Sequence, residues 1–329
     1  MADRIENEKF SRKIIYLLAQ METMSVDMLS GLYSTAGFKP DIRSWISFTS
    51  KFVLSLSVLF IVSGVIFFFA YNWRELHKFT KLSIVSGLIV IPSIFALLSD
   101  LKRFYAKISL LAIALFTGCL LAVFGQIYQT GANAYDLFLN WAILITGIVL
   151  ISNFKPLWFL WIVLLNTSII LYAGQILRHW IEPLAFISLF TLNVIALFIY
   201  EYFGIRDNPQ FESRWLPRFL GFAVVSSITV AGIAGIVTEF EETGYLFCLI
   251  LAIISYAGAI IFYSRKVYDL SSIAVSFVCI IAMVFSTILK FSNFDAASIF
   301  FVGGFLIVGL TVSSAALLIK INNVWKTRV

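Results

Sequence analysis

"IVLISNFKPLWFLWIVLLNTSIILY", residues 148–172, decides the architecture of this 329-residue chain. Read as one bent helix, it merges two apolar runs, and the chain crosses a membrane nine times with its ends on opposite sides. Read as two helices joined at "SNFKPL", it makes the crossings ten, and the ends share a side. Only Lys155 and Pro156 separate the runs. Proline lacks an N–H and clashes with the preceding turn inside a helix, but fits the first turn, where that N–H has no partner anyway. Pro156 therefore favours the start of a new helix, and two spans.

The rest of the chain agrees with a membrane class. Hydrophobic residues make up 60% of the sequence and charged residues 13%, with 33 Phe. That is too little charge to cover a soluble surface of this size. Apolar stretches at 52–71, 82–99, 108–128, 137–154, 156–177, 183–200, 219–238, 243–264, 270–289 and 296–319 carry no charge. Each has about the 17–25 residues that a helix needs to cross hydrocarbon. Lipid offers no partner to an open backbone group, and the alternation of a membrane β-barrel is absent. The expected fold is an all-α, polytopic transmembrane helix bundle of about ten spans. Cys119, Cys248 and Cys279 all lie in apolar runs, as packing thiols do and a disulfide framework does not. The early run "IIYLLAQM" is too short for a cleavable signal peptide.

Basic residues set the expected orientation, because cytoplasmic loops concentrate Lys and Arg. With the N-terminus inside, the cytoplasmic segments hold 19 of the 24. Arg74, Lys78, Lys81, Arg178 and Lys290 remain outside. The +6 net charge thus follows topology, and a nucleic-acid partner is not expected. The chain reads as a cytoplasmic helical module (1–50), a first membrane region (51–154, spans 1–4) and a second (155–329, spans 5–10). In the module, Ser25 is placed to cap a short helix reaching Tyr33, and Gly37–Pro40 breaks it before Asp41.

One passage is unusually polar: "VFGQIYQTGANAYDLFLNW", 123–141. Part of it is helix punctuation. Gly131 suits a left-handed position ending the third span, Asn133 suits a cap on the fourth, and Asp136 sits in that helix's positive first turn. Gln126, Tyr128, Asn140 and Trp141 exceed what a turn needs. Asp136 and Asn140 share a helix face, and an unpaired amide at that depth costs about 1–3 kcal/mol. These residues either pack together as a polar hairpin core or line a shallow pocket of amides, hydroxyl, carboxylate and aromatic walls.

Two stretches, "SGVIFFFAYNWRELHKFTKL" (63–82) and "FGQIYQTGANAYDLFLNWAIL" (124–144), resemble the signatures of DUF2157, a bacterial integral-membrane family known as a domain of unknown function. The resemblance covers roughly residues 10–150. It rests on Asn72, Trp73, Gly125, Gln126, Ile127, Tyr128, Leu137, Phe138 and Trp141. It implies a bacterial plasma-membrane location and an envelope protein partner, and brings no reaction, ligand or cofactor. By the expected topology both signatures emerge on the outer side. Candidate ligand-binding residues are therefore Asn72, Trp73, Gln126, Tyr128, Asp136, Asn140 and Trp141.

Elsewhere the polar residues read as packing. Asn166 and Asn193 fall near mid-membrane on spans five and six, placed to form a structural pair. Ser227, Ala231 and Gly235 form a small-residue face on span seven, as Gly309 and Ser313 do on span ten, and Pro92 is placed to kink span two. Six other tryptophans sit near membrane edges, as interfacial anchors do. His77 and His179 lack ligand-like spacing, so no metal and no cofactor is expected. No ionisable residue falls mid-span, where coupled transporters place one. The leading expectation is a non-catalytic envelope binding or scaffold subunit, surrounded by membrane lipids, whose outer-face polar pocket takes a lipid-linked or peptide ligand or a partner protein. One alternative is a facilitative transporter with a path past Asn166 and Asn193. The other is an envelope enzyme using Asp136 with Glu75 or Glu182.

Overall fold

The computed structural model describes residues 42–72, 76–129, 131–177, 183–206, 214–291 and 296–328, with Ser25, Asp27, Met28 and Gly31. Among them are ten long helices and no strand: α1 (Ile42–Asn72), α2 (Lys78–Leu98), α3 (Phe104–Tyr128), α4 (Ala134–Ser152), α5 (Lys155–Tyr172), α6 (Pro183–Arg206), α7 (Trp215–Val237), α8 (Thr243–Phe262), α9 (Leu270–Phe291) and α10 (Ala296–Arg328). Each contains a stretch long and apolar enough to span a membrane. The corner at 153–156 does make two helices. Asn153 adopts a left-handed conformation (φ 42°), Phe154 is extended, and Pro156 lies in the first turn of α5.

The chain forms two compact units, Met1–Phe116 and Thr117–Val329. In the first, Ser25 Oγ accepts from the Met28 N–H at 3.2 Å, while most of the N-terminal module lies outside the described residues. α1 starts at Ile42, about ten residues before the charge-free run, since Arg43 and Lys51 join its first turns. Phe95 of α2 meets Tyr105 at the start of α3 edge-on, with centroids 5.6 Å apart. Pro92 lies inside α2, which continues to Leu98.

In the second unit successive helices alternate in direction. At one end Lys155 lies over the Tyr200 ring at 5.6 Å, Phe159 meets Trp215, and Trp325 donates to the Ser264 carbonyl at 3.1 Å. At the other, Tyr135 meets Tyr172 edge-on at 5.2 Å, and Lys290 pairs with Glu239 at 3.0 Å. The first is called the basic end here, since it gathers Lys155, Arg214, Arg218, Arg265 and Lys266.

α7 is the centre of this unit, with Leu220, Val225, Ile228, Ala231 and Ile236 all buried. Its small residues let neighbours approach its backbone. A Cβ on Gly232 would lie 2.5 Å from Met283 Cε of α9, and one on Gly235 would lie 2.6 Å from Tyr245 Cβ of α8. The expected small-residue contact on α10 is not made among the described residues. Nothing lies within 4 Å of a Cβ on Gly309, and Ser313 bonds back to its own Gly309 carbonyl. α10 instead meets α9 at Gly303, over the Phe285 ring. Large apolar side chains exposed around the bundle are what lipid-facing surfaces carry.

Candidate functional site

The polar passage forms the α3–α4 hairpin. α3 ends at Tyr128, and the chain reverses through left-handed residues at Gln129 (φ 43°) and Gly131 (φ 65°). Glycine adopts this region freely; the glutamine carries no such signature in sequence. Asn133 occupies the N-cap of α4, and its N–H donates to Asp136 Oδ2 at 3.1 Å. That carboxylate thus satisfies a donor that the helix start would leave open. A further donor, the Tyr135 N–H, reaches Gln175 Oε1 at 3.4 Å. Gln175 sits in a π-helical turn, Ala173–Leu177, that continues α5. The start of α4 is therefore capped from its own first turn and from a neighbouring helix.

Trp141 closes the hairpin from within. A Cβ on Gly118 of α3 would lie 2.5 Å from its Cε2, so the ring occupies the gap left by that glycine, with Phe138 stacked beside it at 6.3 Å. This contact also sets the register. With Gly118 opposite Trp141, Gln126 is level with Asn133 and Asn140 is level with Cys119. At 1.5 Å per residue, the two amides differ in depth by about 10 Å. They do not form one polar core. Gln126, Tyr128 and Asn140 are exposed and Asp136 is partly buried, with Tyr128 tilted against Phe124. Among the described residues, neither the Gln126 nor the Asn140 side chain has a hydrogen-bond partner.

Asn72 is the last residue of α1, but its side chain, Trp73 and Glu75 lie outside the described residues, as do His179 and Glu182. His77 caps α2, its Nδ1 accepting from the Phe79 N–H at 3.4 Å. Asn166 and Asn193 meet between α5 and α6 and exchange two hydrogen bonds, at 2.7 and 3.3 Å. Each amide also donates 2.8 Å to the carbonyl four residues back, Ile162 and Leu189. The amide groups are thus committed to each other and to their own helices.

A second polar site lies at the basic end, and reading the charges only as orientation signals missed it. Arg214, at the start of α7, contacts Glu201 of α6 through Nη2 and Asp269, before α9, through Nε at 3.3 Å. Arg218, one turn on, also reaches Asp269 Oδ2, at 3.0 Å. Tyr263 donates to the same Glu201 oxygen as Arg214, at 3.2 Å, and the Ser271 N–H donates to Asp269 Oδ1. Glu201 and Asp269 are 5% and 4% exposed. Burial alone lifts a carboxyl pKa, but two guanidiniums and a backbone N–H outweigh it and hold Asp269 below its ordinary value. Burial would lower the Arg214 pKa, but the paired carboxylates raise it. The available signal was the spacing of Arg214 and Arg218, four apart on one helix face, with acids at loop ends on the same side.

Residues 17–158 match the family model described as "Predicted membrane protein (DUF2157)". The match covers α1 to α4 and the first turn of α5. No curated protein and no solved structure matches the chain.

Proposed function

Taking as premise that this membrane protein carries the DUF2157 region over its first four spans, we propose that it is a non-catalytic binding subunit of the bacterial envelope. It resides in the plasma membrane with both termini in the cytoplasm and presents one face of the α3–α4 hairpin to a partner protein. The orientation rests on the concentration of Lys and Arg at the basic end of the second unit.

Asn140 carries the reading. It is exposed, lies about two turns inside α4, and has no partner among the described residues. Ile143, Leu144, Gly147 and Ile151 follow on the same exposed stripe, at the spacing of a helix-packing seam. Nothing lies within 4 Å of a Cβ on Gly147, so a second helix could approach there closely. An amide facing hydrocarbon alone is costly. Matched by a partner helix, it becomes the hydrogen-bonding residue of an interface. Gln126 and Tyr128, nearer the hairpin tip, would contact the partner's outer segment or a headgroup. Asp136 and Trp141 shape the surface they cap and wedge.

Photocrosslinking in native membranes tests this. A photoreactive residue at position 144 or 126, with Asn140 kept, is expected to capture one discrete protein, and one at Phe198, an exposed residue of α6, only lipid. Capture of the same lipids from 144 as from 198, or of the chain's own other helices alone, overturns the reading.

A further inference from the structure

The buried charges at the basic end do more than mark an orientation. Removing a carboxylate or a guanidinium from water is expensive, and a well-packed apolar set often holds helices together better. Adhesion alone is therefore a weak reason for four charges to converge here. Glu201 belongs to α6, Arg214 and Arg218 to the start of α7, and Asp269 to the corner between α8 and α9. Arg214 is the residue of the four that touches both carboxylates, Glu201 through Nη2 and Asp269 through Nε.

We infer that Arg214 is the hub of a latch that holds the α6–α7 corner against the α8–α9 corner and keeps water out of the seam between α7, α8 and α9.

Three features fit a joint that opens rather than a fixed staple. The two carboxylates balance the two guanidiniums, and the side chain of Arg218 is 49% exposed. The set can separate into water at the helix ends without carrying net charge into hydrocarbon. The backbone beside it is already irregular. A π-helical turn, Tyr263–Val267, ends in left-handed Tyr268 (φ 58°), and the Asp269 N–H returns to the Tyr263 carbonyl at 3.3 Å. Such turns break the regular ladder and are frequent at functional sites. Behind the latch the seam is apolar and closely packed. Ala231, Ala252 and Cys279 fill it, and the hydrogen bond between Thr229 and Tyr256 crosses it. At the opposite end the ion pair found among the described residues is Lys290 with Glu239, whose side chains are 31% and 69% exposed. Strong screening by water makes such a tie weak, so the buried end sets the closure.

The chain contains its own reporters. Cys279 lies on α9 in the seam, about 15 Å along the helix from Asp269. Cys248 lies near the start of α8 at the opposite end, with Sγ 4.0 Å from the Pro183 carbonyl, and Cys119 is on α3. A thiol reacts with N-ethylmaleimide only as the hydrated thiolate, so labelling reports water entry. In the full-length protein in native membranes, Arg214→Lys keeps the charge but loses the fork that grips two carboxylates. It is expected to speed labelling of Cys279 at least tenfold while Cys248 and Cys119 label as in the unaltered protein. Tyr263→Phe, which removes one neutral hydrogen bond, is expected to give a smaller rise at Cys279 alone. It carries the test if Arg214→Lys does not accumulate. Equal rises at all three cysteines show general loosening and overturn the latch, as does unchanged Cys279 in both variants.

Discussion

Trp141 occupies the space that a side chain on Gly118 would need, with Cε2 only 2.5 Å from the position of a Cβ there. This one contact fixes the register of the α3–α4 hairpin and so the depth of every polar side chain on it. Gly118→Ala is expected to destabilise the protein by about 1–3 kcal/mol, the usual cost of overpacking. In a Trp141→Ala background the same alanine is expected to cost little, because its obstacle is gone. Thermal unfolding of the four species in detergent measures this coupling; additive effects would contradict the contact.

Asp136 and Asn140 lie four residues apart on α4 but have different surroundings. Asp136 accepts from the Asn133 N–H, so Asp136→Ala is expected to cost about 0.5–2 kcal/mol of stability as a lost cap. Asn140→Leu is expected to leave stability unchanged or raised and to abolish capture of the partner. Both are read from the same membranes, as melting midpoint and crosslink yield. A stability loss at position 140 with capture intact would count against the proposed interface.

The Asn166–Asn193 pair predicts a non-additive pattern. Asn193→Leu strands the Asn166 amide in an apolar interface and is expected to cost about 1–3 kcal/mol. Replacing both asparagines by leucine removes the stranded group, and the double variant is expected to be more stable than either single one. A double variant as weak as the sum of the singles would show that the pair does not interact.

Asp269 predicts an acid limit. Its folded pKa is depressed, so its stabilising contribution is complete above the unfolded carboxyl value, about 3.9. It is lost as the pH falls through the lower folded value. Asp269→Asn leaves Arg214 and Arg218 without this carboxylate and is expected to melt well below the unaltered protein at pH 7. The difference should narrow only below about pH 4. A gap that stays constant from pH 7 to 3 would falsify the pairing.

Much of this was legible in the chain because membrane sequences follow few rules. The need to pair every backbone group makes each long apolar run a helix, and Pro156 marks where one run becomes two. Gly131 and Asn133 could be placed at the hairpin because turn and cap chemistry is local. Asn166 and Asn193 could be paired because equal distance from a short loop implies equal depth. Other features depended on neighbours that sequence spacing does not reveal. Gln126 and Asn140 look equivalent along the chain, yet antiparallel register places them about 10 Å apart in depth. Gln175 caps a helix forty residues away. Gly309 and Ser313 carry a packing motif, yet α9 meets α10 at Gly303 instead.

From the chain alone one could read a membrane protein of long apolar helices, a corner before Pro156, and the turn and cap at Gly131 and Asn133. Those properties depend on hydrocarbon thickness, backbone satisfaction and short-range hydrogen bonding. The packing of the folded chain is what puts Trp141 inside the hairpin, leaves Asn140 facing outward and brings charges from α6, α7 and the α8–α9 corner together at Arg214. Each of these depends on the rotation and relative height of neighbouring helices. Those are set by side-chain packing at all contacts together, which no single stretch of sequence contains.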